Sequence, residues 1–102
     1  VGENRRTQTR HEVDLAVAFT VDGKTTNTQM INLSLGGAFI GGQRVTMGQR
    51  VSVKFKLPAD DEAIEVGGTV RWSTEQGVGI QFDGLRAREV WALNKFFEQL
   101  TG

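Results

Sequence analysis

The chain has no cysteine, one proline and one histidine in 102 residues. Without cysteine there are no disulfides, thiolate metal sites or cysteine nucleophiles, and a single histidine cannot furnish a zinc cluster. An excess of charge is missing too, since 12 Lys and Arg stand against 12 Asp and Glu. A balanced chain does not coat nucleic acid or membrane by bulk electrostatics, so any anion site must be local. Long apolar runs are also lacking. No stretch approaches the roughly 18 to 20 continuous apolar residues of a membrane span, and no apolar h-region follows the first residues. The expectation is a chain in the cytoplasm, without membrane insertion, folding as one domain over residues 1–102.

What the chain does have is 13 glycines spread between strand-like runs, the mark of many tight turns and short strands. Val13, Leu15, Val17 and Phe19 alternate with more polar or smaller neighbours, the period of a half-buried strand. Asp22-Gly23 predicts a hairpin turn. The return strand is expected from about Thr25 to Leu35, with Ile31, Leu33 and Leu35 on one face and Asn32 and Ser34 on the other. Ala38-Phe39-Ile40 reads as a short strand, and Val51, Val53, Phe55 and Leu57 as the inward set of another that stops at Pro58. Asp60-Asp61-Glu62 reads as a solvated loop. Ile64, Val66, Val70 and Trp72 then share one parity, with a bulge or bend expected at Gly67-Gly68. Val78, Ile80 and Phe82 alternate behind a turn at Gln76-Gly77.

Strands of this number and spacing over residues 12–83 suit a small closed or nearly closed all-β barrel. From Leu85 the period becomes helical, through Val90, Leu93, Phe97 and Leu100, so a C-terminal helix is expected over 84–100 with Asp83 as its N-cap. Its large apolar residues require it to lie against the barrel or a partner. Trp72 and Trp91 read as packing residues, and His11 as the entrance to the first strand.

Two constellations lie outside this inferred core. Arg5, Arg6 and Arg10 fall within six residues, giving residues 1–11 a local charge of +2 once Glu3 is set against three arginines. In an extended segment rising roughly 3.3 Å per residue, Arg6 and Arg10 point the same way about 13 Å apart. Their forks suit phosphate or the O6/N7 edge of guanine, while Arg5 projects elsewhere. A solvated basic tail is the alternative. The second constellation is Asn32-Leu33-Ser34-Leu35-Gly36-Gly37, in which strand alternation sets the Asn32 amide beside the Ser34 hydroxyl on the outer face. Gly36 and Gly37 let a flat ligand approach the backbone, or merely punctuate a turn. Neutral donors and acceptors of this kind suit binding. No nucleophile and base pair or metal set accompanies them, so no enzymatic activity is expected.

Together, in this order, the motifs resemble the PilZ domain family of bacterial cyclic di-GMP receptors. Its Arg-x-x-x-Arg segment matches Arg6 and Arg10, and its Asp/Asn-x-Ser-x-x-Gly motif matches Asn32, Ser34 and Gly37. The similarity continues through Gly48, Val70-Arg71-Trp72, Gly77-Val78-Gly79-Ile80 and the terminal helix, covering essentially residues 5–100. The resemblance implies a six-stranded antiparallel split β-barrel with a C-terminal α-helix, no cofactor, and cyclic di-GMP as ligand. It implies that the flexible arginine segment wraps the dinucleotide and holds it against the face carrying Asn32, Ser34, Gly36 and Gly37. Asn32 keeps the acceptor oxygen of the commoner aspartate and removes a negative charge near phosphate. Arg5, directly before the segment, looks like the arrangement associated with an intercalated ligand dimer. The output implied is second-messenger control of motility or biofilm through an unidentified protein partner. The alternative is a PilZ-like interaction module that binds no nucleotide. An oligonucleotide-binding barrel fits less well, because it wants exposed aromatics in a basic groove.

Overall fold

The computed structural model describes residues 10–58 and 62–101. Arg5, Arg6, Asp60 and Asp61 therefore lie outside the described residues. The strands are β1 (His11–Val21), β2 (Lys24–Leu33), β3 (Gly37–Gly41), β4 (Arg50–Phe55), β5 (Ile64–Ser73) and β6 (Gly77–Phe82), followed by α1 (Ala87–Thr101). They form a closed antiparallel barrel in the order β1-β2-β3-β6-β5-β4. The six-stranded barrel with a C-terminal helix is thus the observed architecture. Among the described residues, no helix is long and apolar enough to cross a membrane.

The period-two pattern explains most of the interior. Val17 and Phe19, Val51, Val53 and Phe55, Ile64, Val66 and Val70, and Val78, Ile80 and Phe82 are all buried, as alternation predicts. Asp22 and Gly23 both take positive φ, 52° and 79°, which matches the twist of a two-residue hairpin and closes β1 onto β2 at the pair Val21 and Lys24. This hairpin outruns its neighbour. β3 pairs only with the Met30 to Leu33 end of β2, so among the described residues, 24–29 have a strand partner in β1 alone.

Two irregularities overturn the expected parity. In β2 the register against β3 shifts between Met30 and Asn32, so Ile31 is the extra residue. Met30 and Leu33 therefore point inward, Ile31 is 43% exposed, and Leu35 only packs against the core from beyond the strand. In β5 the shift lies between Val70 and Trp72, not at Gly67-Gly68, which pair continuously with β4. Alternation would bury Trp72; the bulge turns it outward, 37% exposed.

The helix begins later than expected. Glu89 accepts the Arg86 backbone N–H at 3.0 Å from the buried third helical position, and Val90 N–H bonds the Arg86 carbonyl, so Arg86 caps the helix in place of Asp83. Ala92, Leu93, Phe96 and Phe97 form its buried face. Burial of each large member contributes roughly 1.5 to 3 kcal/mol. Trp91, expected to pack, is instead 65% exposed, with Lys95 Nζ 5.6 Å from its ring centroid, and Leu100 is 45% exposed. The helix stripe is narrower than its apolar content suggested.

Asp83 has a different partner. Arg50 forks its carboxylate, with Nη1 to Oδ1 at 2.7 Å and Nη2 to Oδ2 at 2.5 Å, joining β4 to the end of β6. Hydrogen bonding to Arg50 holds the Asp83 carboxyl below its ordinary range. A carboxyl whose folded pKa is depressed adds stability that is complete above its unfolded value, near 4, and lost as pH falls through the folded one. The stability gap between parent and Asp83→Asn should accordingly be present at pH 7 and shrink below pH about 4. Urea melts across this range test it; a gap independent of pH would assign the effect to something other than the ion pair.

Candidate functional site

The outer face near the start of β1 is organised by cross-strand register. Asn32 pairs with Glu12 on one side and Phe39 on the other, Phe39 pairs with Gly79, and Gly79 pairs with Trp72. Asn32, half-buried Phe39 and Trp72 thus belong to one row running across the barrel. Gly79 supplies no side chain to that row, and its place is taken by the indole of Trp72: a Cβ added at Gly79 would collide with the Trp72 ring carbons.

Arg10 stands at the entrance to β1, above this row. Its Nη1 donates to Asn32 Oδ1 at 3.0 Å, and its guanidinium carbon lies 4.8 Å from the Trp72 ring centroid. The amide fixes the fork in orientation without cancelling its charge, and the indole face adds cation–π attraction on the order of 0.5 to 1 kcal/mol at an exposed position. The result is an aimed cation with unused N–H groups facing solvent. Of the residues singled out in the sequence, the structure brings Arg10 and Asn32 into contact.

Ser34 is placed differently from expectation. It is not beside the Asn32 amide on the outer face but 2% exposed, because β2 has already ended at Leu33. Its hydroxyl accepts the N–H groups of Gly36 and Gly37 at 3.2 and 3.1 Å, and Ser34 N–H donates to the Gly37 carbonyl at 2.8 Å. The serine therefore holds the β2–β3 turn in shape. The same bonding recurs between β5 and β6, where Thr74 Oγ1 accepts from Gln76 and Gly77 at 3.1 and 3.3 Å and Thr74 N–H reaches the Gly77 carbonyl at 2.8 Å. Gly37 is buried where a Cβ would run into the Ile80 carbonyl oxygen of β6, and the Gly36 carbonyl accepts Phe82 N–H at 2.8 Å.

His11 connects this end of the barrel to the helix, its ring stacked on Phe97 with centroids 4.1 Å apart and planes at 17°. Sequence reasoning missed the outward role of Trp72 because parity alone sends it inward. The available signal was Gly79, a residue without a side chain on the facing strand. Beside Trp72, an open depression of about 580 Å³ is lined by Gly36, Arg71, Trp72, Gln81 and Phe82. That is space for a small planar ligand. Among the described residues, no cluster of His, Cys, Asp or Glu could hold a metal ion.

The fold is shared with two solved structures. The chain superposes on Bacillus subtilis inhibitor of motility (MotI/DgrA) with a TM-score of 0.76 at 20% identity, covering 88% of this chain and 48% of that one. It superposes on Borreliella burgdorferi PlzA, solved in complex with c-di-GMP, with a TM-score of 0.69 at 19% identity, covering 94% of this chain and 42% of that one. The chain thus spans less than half the length of either. No curated protein matches it in sequence. The model of the PilZ domain matches residues 4–99, nearly the whole chain, and the protein described here belongs to the PilZ domain family.

Proposed function

We propose that this domain is a cyclic di-GMP receptor that passes the second-messenger signal to a protein partner, without catalysing a reaction. The observation that carries the reading is Arg10, held by Asn32 and Trp72 on the outer face beside the Gly36-Gly37 turn. Cyclic di-GMP presents two phosphates and two guanines, and the site offers a charged fork, a neutral amide and bare backbone for them. Arg6 joins from the preceding segment, Ser34 and Gly37 shape the turn, and Gly36, which lines the depression beside Trp72, admits the ligand to the backbone. Ordering of the arginine segment around the dinucleotide is the switch. Motility or biofilm control in the cytoplasm is the output we assign, in keeping with the motility inhibitor that shares the fold.

Calorimetry with cyclic di-GMP, GMP and a single-stranded oligonucleotide tests the reading. Cyclic di-GMP should bind in the micromolar range or tighter and the other two far more weakly. Exposed Trp91 and Leu100 favour a second reading, an interaction module that works without nucleotide. Absence of heat with cyclic di-GMP would support it.

Arg5 bears on stoichiometry. A stacked dimer of the ligand brings further phosphates and guanines that need their own cation, and Arg5 is the residue we assign to supply one. Tight-binding titration should reach equivalence near two ligands per chain, moving toward one in Arg5→Leu while binding survives. Equivalence at one in the parent would remove the dimer and leave the receptor reading intact.

A further inference from the structure

The bulge in β5 has a chemical result beyond exposing Trp72. Regular alternation would send Arg71 and Trp72 to opposite faces, but both are exposed here, and both line the 580 Å³ depression with Gly36, Gln81 and Phe82. Its apolar lining is the exposed part of the indole, over whose ring Arg10 also sits, beside the largely buried Phe82 ring and the Gly36 backbone. Its polar part is a guanidinium and a carboxamide. Arg71 makes no ion pair among the described residues, so its fork is uncommitted.

We propose that this depression is a base-reading subsite for guanine, in which Arg71 donates both arms to O6 and N7 and the Gln81 carbonyl accepts from N1–H and the exocyclic N2 amine. The proposal rests on the receptor reading above and adds to it a source of base specificity on the barrel itself. The donor and acceptor pattern decides for guanine. Its Hoogsteen edge carries two acceptors, which match the two N–H groups of Arg71, whereas adenine presents a donor at N6 that the fork would oppose. The rings of Trp72 and Phe82 distinguish no purine from another, so discrimination falls on Arg71 and Gln81. Arg10 then serves phosphate, and the two arginines divide charge recognition from base recognition.

Titration of parent, Arg71→Ala and Arg71→Lys with cyclic di-GMP and cyclic di-AMP separates these roles. The parent should prefer cyclic di-GMP. Arg71→Ala should weaken cyclic di-GMP binding about tenfold to a hundredfold and leave cyclic di-AMP binding nearly unchanged, so that the preference collapses. Arg71→Lys, which keeps the charge and loses the fork, should resemble the alanine variant in preference. Because Arg71 is exposed and makes no ion pair among the described residues, both variants should melt with the parent, which keeps a folding defect from imitating the result. A preference retained in Arg71→Ala, or an equal loss for both dinucleotides, overturns the subsite while leaving the receptor reading in place. A parent that binds neither dinucleotide overturns both.

Discussion

Replacing Arg10 by alanine is expected to weaken cyclic di-GMP binding about tenfold to a hundredfold, or roughly 1.5 to 3 kcal/mol, the value of a charge-assisted hydrogen bond. The geometry sharpens this expectation. Arg10 is oriented before any ligand arrives, by the 3.0 Å bond to Asn32 and by the Trp72 face, so little ordering cost remains to be met on binding. Asn32→Ala should then act in part through Arg10: it frees the fork, so its effect should be smaller in an Arg10→Ala background, and what remains there is the amide's own contact with the ligand. A double-mutant cycle measures that coupling. If Arg10→Ala binds like the parent, the cation above Trp72 is not the anchor and the site must be sought elsewhere.

The second large effect is on stability. A Cβ at Gly37 would enter the Ile80 carbonyl, a backbone atom that can yield only by prising β3 from β6. Gly37→Ala should cost about 2 to 3 kcal/mol, as overpacking of an ordered interior does, and lower the melting temperature by roughly 10 to 20 °C. Gly84→Ala is the control, since nothing lies within 4 Å of the atom it adds. Equal melting of the two variants would remove the structural account of the motif glycine. A folded Gly37→Ala that binds poorly at low temperature would add a ligand role to the structural one.

The barrel was legible in the sequence because its signal is local. Val51, Val53 and Phe55, or Val78, Ile80 and Phe82, announce their face by alternation, and Asp22-Gly23 states its turn in two residues. What misled was parity through irregular pairing. One extra residue in β2 exchanged Ile31 for Met30 in the core, and one in β5 moved Trp72 from the core to the site. Bulges are set by how two strands meet, and neither strand records that alone. The motif residues Arg10 and Asn32 could be named from their order, but their contact spans 22 positions and depends on a β1–β2 register that itself shifts between Glu12 and Leu15. Ser34 shows the opposite case. Its hydroxyl was legible as polar and near the site, while its enclosure by the turn was not; Thr74, which is exposed, repeats only the hydrogen bonds at the β5–β6 turn. The helix starts three residues later than the period suggests because Glu89 closes its first turn on Arg86, while Asp83 is held by Arg50, 33 residues away.

The protruding β1–β2 hairpin carries a colloidal consequence. Residues 24–27, paired on one side only, are an invitation to strand addition by another chain, the first step of ordered aggregation. They read Lys24-Thr25-Thr26-Asn27, all exposed, with a cation at the turn and no apolar residue for a second sheet to seal against. The threonines keep the strand extended while the lysine and the hydrophilic surface deny an incoming strand a dry interface. Resistance to strand addition at this rim therefore rests on four residues that neither fill the core nor touch the site, and valine at Thr26 and Asn27 would turn a guarded rim into an adhesive one.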